Sequence, residues 1–172
     1  MISHPLAFMR LPYDLLVAMD SRTLHFWLQP EHYLIRIVHI ISMAMFFGMD
    51  MLFDLGILNR RVGNRLAPVA QLMVRPLHVT FTIAMLSGVV LFFYDPVRIG
   101  SRAYLSPKLL LITLAMLNAM WCHRTVYMPV LCGRPVATMR GRVGACLSLA
   151  LWTGVMVMSC LNSEGVPKVF LR

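Results

Sequence analysis

The stretch 45-MFFGMDMLFD-54 decides how the rest of the chain is read. It is oily enough to lie inside a bilayer, yet it holds Asp50 and Asp54, one helical turn apart. An aspartate at the centre of a membrane helix costs about 2.5–3.5 kcal/mol on insertion scales, so two of them need partners or a use. On a helical wheel His32, Arg36, His39, Met43, Phe46, Asp50 and Asp54 share one sector of roughly 80°, and Gly48 points the other way. So coherent a stripe predicts a face turned away from lipid, into a bundle or toward a partner chain.

Outward from this stretch, the whole chain has the same character. Its 172 residues are 59% hydrophobic and 13% charged, with mean hydropathy +0.72. A soluble domain is closer to half apolar and a quarter charged. A spanning helix needs ~20 apolar residues to cross a hydrocarbon core of ~30 Å. Four runs meet that length, predicting helices over about 31–58, 76–95, 106–124 and 142–161. The expected fold is therefore all-α: an integral-membrane four-helix bundle, up-down-up-down, in a single domain over 1–172. An amphipathic segment over about 8–29 precedes it and reads as one or two short helices in the interface, with Phe26, Trp27 and Tyr33 where aromatic rings prefer to sit. Pro30 suits the first turn of the first span, and Pro68 and Pro76 bracket a short 69–75 segment expected to precede the second. The first apolar run starts too late, and lacks the cleavage site, for a signal peptide, so the N terminus is expected to be retained.

Charge supplies the orientation. Arg60, Arg61, Arg65 and Arg75 between the first two spans, and Arg124, Arg134, Arg140 and Arg142 between the last two, have no acid among them. Asp14, Asp20, Glu31, Asp95 and Glu164 fall on the other side. The positive-inside rule then places both Arg-rich loops in the cytoplasm and both termini in the periplasm of a bacterial inner membrane. Eight of the 16 cations lie in those two loops, so the net charge of +9 is a topology signal rather than a nucleic-acid footprint. Cys122, Cys132, Cys146 and Cys160 have no CxxC spacing and read as small apolar packing residues rather than a disulfide or zinc framework. In the second span Thr80, Ser87 and Tyr94 recur at spacing seven, and in the fourth Cys146, Thr153 and Cys160 do so. Both sets read as seams where helices approach closely.

Depth decides which polar groups can meet. At ~1.5 Å per residue Asp50, Asp54, His78 and His123 fall in the cytoplasmic half, while His39 lies about 10 Å to the periplasmic side, where Lys108 also lies. Three uses of the histidines follow. In the first, His78 and His123 hydrogen-bond the aspartates and only fix packing. In the second they hold a b-type haem between helices, with His39 able to join only through a Met or a partner subunit. In the third, His39 and Met43 offer soft ligands to Cu(I), or the His and Asp groups carry protons. Asp50, Asp54, Lys108 and Asn118 form a candidate buried polar cluster.

The order of features in IVHIISMAMFFGMDMLFDLGILNRR, LSGVVLFF and SPKLLLITLAMLNAMWCH resembles a family of small bacterial four-helix membrane proteins classed as a domain of unknown function. The family's motif positions fall on His39, Asp54 with Leu55, Ser87 with Gly88, Lys108, Asn118 and His123. The likeness covers roughly 27–123. DLGIL here replaces a DLRLL-like pattern, losing a basic residue beside Asp54, and His78 has no counterpart. More loosely the chain looks like copper-resistance and cytochrome b membrane proteins, a likeness of fold alone.

The chain carries no Walker loop, GxSxG, HExxH or dinucleotide fingerprint. It is expected not to be an enzyme on its own. The expected role is a small multi-pass subunit or accessory protein of a membrane-bound redox assembly, with the bilayer and other subunits as partners. The alternatives are metal or proton handling without catalysis, and a structural scaffold.

Overall fold

The computed structural model describes residues 10–59, 66–132 and 139–163. Every regular element in them is helical. Two short helices, α1 (Tyr13–Met19) and α2 (Arg22–Leu28), precede α3 (His32–Leu58) and α4 (Leu66–Tyr94). A single-turn α5 (Pro96–Gly100) leads into α6 (Leu105–Cys122), which runs through a π-helical turn (His123–Tyr127) into the short α7 (Met128–Leu131). The last helix is α8 (Met139–Ser163). The chain thus forms an all-α four-helix bundle of α3, α4, α6 and α8. Each of the four is long and apolar enough to cross a membrane. Arg60, Arg61, Arg65 and Arg134 of the Arg-rich loops lie outside the described residues.

Two boundaries differ from the sequence expectation. α3 begins at His32 with Glu31 as its N-cap, which leaves Pro30 outside the helix. α4 begins about ten residues earlier than expected and runs without a break through the segment assigned to the interface. Pro68 is third in this helix, where an N–H has no intrahelical partner to lose. Pro76 does cost a bond in mid-helix. The turn after it is held by the Thr80 hydroxyl, which donates to the Pro76 carbonyl at 2.9 Å and to the Leu77 carbonyl at 3.1 Å.

α3 is the hub of the bundle, packed along α4 and against α8, while α6 pairs with α8. α4 and α6 make little direct contact, so the ring of four is open between them. Two apolar clusters hold the packed sides together. Phe46, Ala115, Trp152 and Val155 form one, and Phe53, Ile57, Ala70, Val126 and Ala145 form the other. α6 and α8 approach closely, and a methyl group on Gly144 would stand 2.5 Å from Cys122 Sγ. The Gly144 carbonyl also accepts from Asn118 Nδ2 at 3.1 Å.

Large apolar side chains also stud the outer surface, among them Ile37, Ile40, Leu52, Leu72, Val79, Leu86 and Leu110. The seam expected on the fourth span is on that surface too: Cys146, Thr153 and Cys160 are exposed. The face of α8 that packs carries Gly144, Ala145, Ser148, Trp152 and Val155, at helical spacing. Small size at spacing seven fits an outer face as well as a seam, so the pattern did not choose between them. On α4 the same pattern does mark the packed face, for Thr80, Ala84 and Ser87 are buried. Of the four cysteines, all free, only Cys122 is buried.

The amphipathic start of the chain folds against one end of the bundle. Leu16 of α1 is fully buried over α5 and Gly100. The His25 ring of α2 stacks on Tyr94 at 4.4 Å and its Nδ1 donates to the Tyr94 carbonyl at 3.0 Å. Phe26 and Trp27, 72% and 74% exposed, project outward from this collar.

Candidate functional site

The gap between α4 and α6 is a cavity of about 370 Å³. Its floor is formed by α3 and α8: Phe46, Asp50 and Asp54 from one, Ser148 and Trp152 from the other. Leu77, His78 and Phe81 of α4 form one wall. Asn118, Cys122, His123 and Tyr127 contribute to the other, with Arg124 at the rim. Met116, Met120 and Arg124 are exposed, as is His78 across from them, so the cavity opens sideways through the bundle.

The carboxylates at its floor are buried, with Asp50 7% and Asp54 3% exposed. They arrive there because α3 places Phe46, Asp50, Phe53, Asp54 and Ile57 on its inner face. The Ser148 hydroxyl donates to Asp50 Oδ2 at 3.1 Å. Asp54 Oδ2 has no hydrogen-bond partner. Neither carboxylate is in an ion pair among the described residues, where Arg98 with Asp95 is the pair present. A buried acceptor without a donor costs about 1–3 kcal/mol, more for a charged group, and such costs concentrate at sites of function.

His78 and His123 come together at the mouth, ring centroids 5.8 Å apart and planes nearly perpendicular. They do not hydrogen-bond the aspartates as the packing-only reading expected. His78 Nδ1 donates to the Val74 carbonyl of its own helix at 2.7 Å. His123 instead lies beside Tyr127, which stacks on Phe53 at 4.4 Å. On the inner side of the mouth Phe46, Phe81 and Trp152 form an aromatic trio, with centroids between 4.8 and 5.9 Å apart.

The expected polar cluster divides. Asn118 joins Asp50 and Asp54 at the cavity, where its Oδ1 also faces Cys122 Sγ at 3.9 Å. Lys108 does not line the cavity; it lies near the start of α6, toward the other end of the bundle. The physical reason is helix length: Lys108 and Asn118 are nearly three turns apart and cannot share a depth. His39 is turned into α4, its Nδ1 donating to the Ala84 carbonyl at 2.9 Å and to Ser87 Oγ at 3.0 Å. Gly88 makes room for it, since a methyl group there would lie 3.0 Å from His39 Cε1. Met43 is half-buried on the same helix. Among the described residues no group of three or more His, Cys, Asp or Glu side chains is placed to hold a metal ion.

Ser148, Trp152, Phe81 and Tyr127 were not singled out from the sequence as site residues. Ser148 was discoverable in principle, because α8 has a polar residue one turn from Trp152 in a strongly apolar run. Compared with family models, with curated proteins and with solved structures, the chain matches none.

Proposed function

We propose that this chain is a multi-pass membrane protein, a small subunit or accessory protein of a membrane-bound assembly, whose α4–α6 cavity takes up and releases protons at Asp50 and Asp54. One observation carries the proposal: a buried carboxylate pair, with an oxygen left unpartnered, at the floor of a cavity that has two imidazoles at its mouth. Ionisable groups inside membrane spans are costly and are kept where they mark proton or ion paths. Imidazole is the side chain suited to passing protons between water and such a site near neutral pH. By the positive-inside rule the Arg-rich loops support an orientation with the cavity mouth in the cytoplasmic half of a bacterial inner membrane.

The test is an infrared titration of the reconstituted protein. A carboxyl stretch that rises and falls with pH, and disappears in the Asp50→Asn/Asp54→Asn double variant, supports proton exchange at this pair. A spectrum identical in wild type and double variant contradicts it.

A b-type haem is a second reading, and the meeting of His78 and His123 at the cavity favours it. Those two residues would hold it, and it would supply one-electron transfer. A reduced-minus-oxidised spectrum with Soret and alpha bands, lost in His78→Ala, supports it. A colourless preparation after gentle extraction rejects it.

A further inference from the structure

We infer that the α4–α6 cavity binds the ammonium head of an amphiphilic amine, seated between Asp54 and the aromatic trio, with its hydrocarbon tail leaving through the lateral opening. This rests on the cavity serving as a protonatable site, and it names the chemistry of what that site receives.

Four features of the cavity converge on this class of ligand. The floor leaves carboxylate acceptors open: Asp50 has one oxygen engaged by Ser148, and Asp54, in a residue 97% buried, has Oδ2 without a partner. A group entering there must bring N–H or O–H donors, and a positive charge is favoured over a neutral donor because two carboxylates face it. Phe46, Phe81 and Trp152 stand beside these oxygens, and ring faces attract a cation at close range. An anionic ligand is disfavoured by the two carboxylates, because Arg124, the guanidinium in the lining, is at the exposed rim.

The remaining walls decide what the rest of the ligand looks like. Leu77, Met116 and Met120 are apolar, and the opening between α4 and α6 faces sideways along the bundle rather than out of its end. A ligand with an alkyl tail keeps that tail in an apolar phase while its head is seated. The cavity, at about 370 Å³, has the size of a small-molecule site, which starts near ~300 Å³. An ammonium on an apolar tail comes either from a free lipophilic amine or from the head of an aminophospholipid.

The experiment uses the full chain in phosphatidylcholine nanodiscs with radiolabelled dodecylamine as probe and dodecanol as the uncharged control. The expected result is saturable binding of dodecylamine at one site per chain and only non-saturable partitioning of dodecanol. Asp54→Asn is expected to weaken amine binding about tenfold or more, the loss typical of a charge-assisted hydrogen bond, whereas Asp95→Asn leaves it unchanged. Phe81→Leu, which keeps both carboxylates, is expected to weaken it by a smaller factor, which guards against Asp54→Asn failing to fold. Competition by added phosphatidylethanolamine assigns the site to a lipid head, and lack of competition assigns it to a free amine; either supports the inference. Absence of saturable amine binding to the wild type, or equal binding by Asp54→Asn and Phe81→Leu, overturns it. If the infrared titration of the aspartates persists when amine binding is absent, the proton-exchange proposal stands and only the ligand assignment falls.

Discussion

At the scale of single residues, Asp54 and His39 show two opposite treatments of a polar side chain in an apolar bundle. His39 is fully accommodated: its proton goes to the Ala84 carbonyl and Ser87, and Gly88 gives it space. Gly88→Ala is therefore expected to destabilise the fold by about 1–3 kcal/mol, the range for overpacking, because the ring cannot move aside without losing both bonds. Thermal unfolding in detergent checks this, and His39→Ala in the same chain should remove most of the penalty. Asp54 is not accommodated, since one of its oxygens is buried with no donor. Asp54→Leu is expected to stabilise the protein by about 1–3 kcal/mol while abolishing its proton exchange, as happens where a site is kept at the expense of stability. A loss of stability in that variant would show that Asp54 holds the fold together instead. The inward turn of Asp50 and Asp54 was legible in the sequence, because seven residues on one face of an otherwise greasy helix leave few other arrangements. Their partners were not legible. Equal depth made His78 and His123 natural donors, but a histidine can spend its proton on its own helix, and His78 does so at Val74.

At the scale of elements, the seam between α6 and α8 and the course of α4 carry the bundle. Gly144 lies where a methyl group meets Cys122 Sγ at 2.5 Å, whereas Gly48 on the outer face of α3 has nothing within 4 Å. Gly144→Ala is thus expected to lower the unfolding midpoint. Gly48→Ala should raise stability by about 0.5–1 kcal/mol through helix propensity alone. Equal effects at the two positions would mean that α6 and α8 do not approach as closely as described. The four long helices were legible from apolar length, and so were the short helices before them, which form α1 and α2. The start of α4 was misjudged because proline usually marks a helix boundary, whereas here Pro68 falls where no bond is lost and Thr80 supports the turn after Pro76. Nor was the π-helical turn that carries His123 and Tyr127 to the cavity read from the sequence, although Pro129 just after it removes the N–H that would bond Thr125.

At the scale of the whole molecule, the open side between α4 and α6 was beyond the sequence, because which neighbours in a four-helix ring fail to close depends on side-chain sizes across three interfaces at once. It is also what makes the carboxylates reachable. With each of the four long helices crossing once, Asn59 at the end of α3 and Ser101 at the end of α5 fall on opposite sides. Single cysteines introduced at Asn59 and at Ser101, in a chain freed of its own four, are expected to label from opposite faces of the inner membrane, Asn59 from the cytoplasm. Labelling of both from one face contradicts this topology. The central claim is that Asp50 and Asp54 lie inside the bundle yet open sideways to the apolar phase, and carbodiimide modification tests it most directly. Membrane-embedded protein is treated with lipophilic dicyclohexylcarbodiimide or with a water-soluble carbodiimide, and the adducts are located by peptide mass spectrometry. The account predicts that the lipophilic reagent modifies Asp54 or Asp50 and the water-soluble one spares both while reaching exposed carboxylates. Modification of the pair by the water-soluble reagent alone, or by neither, would contradict it.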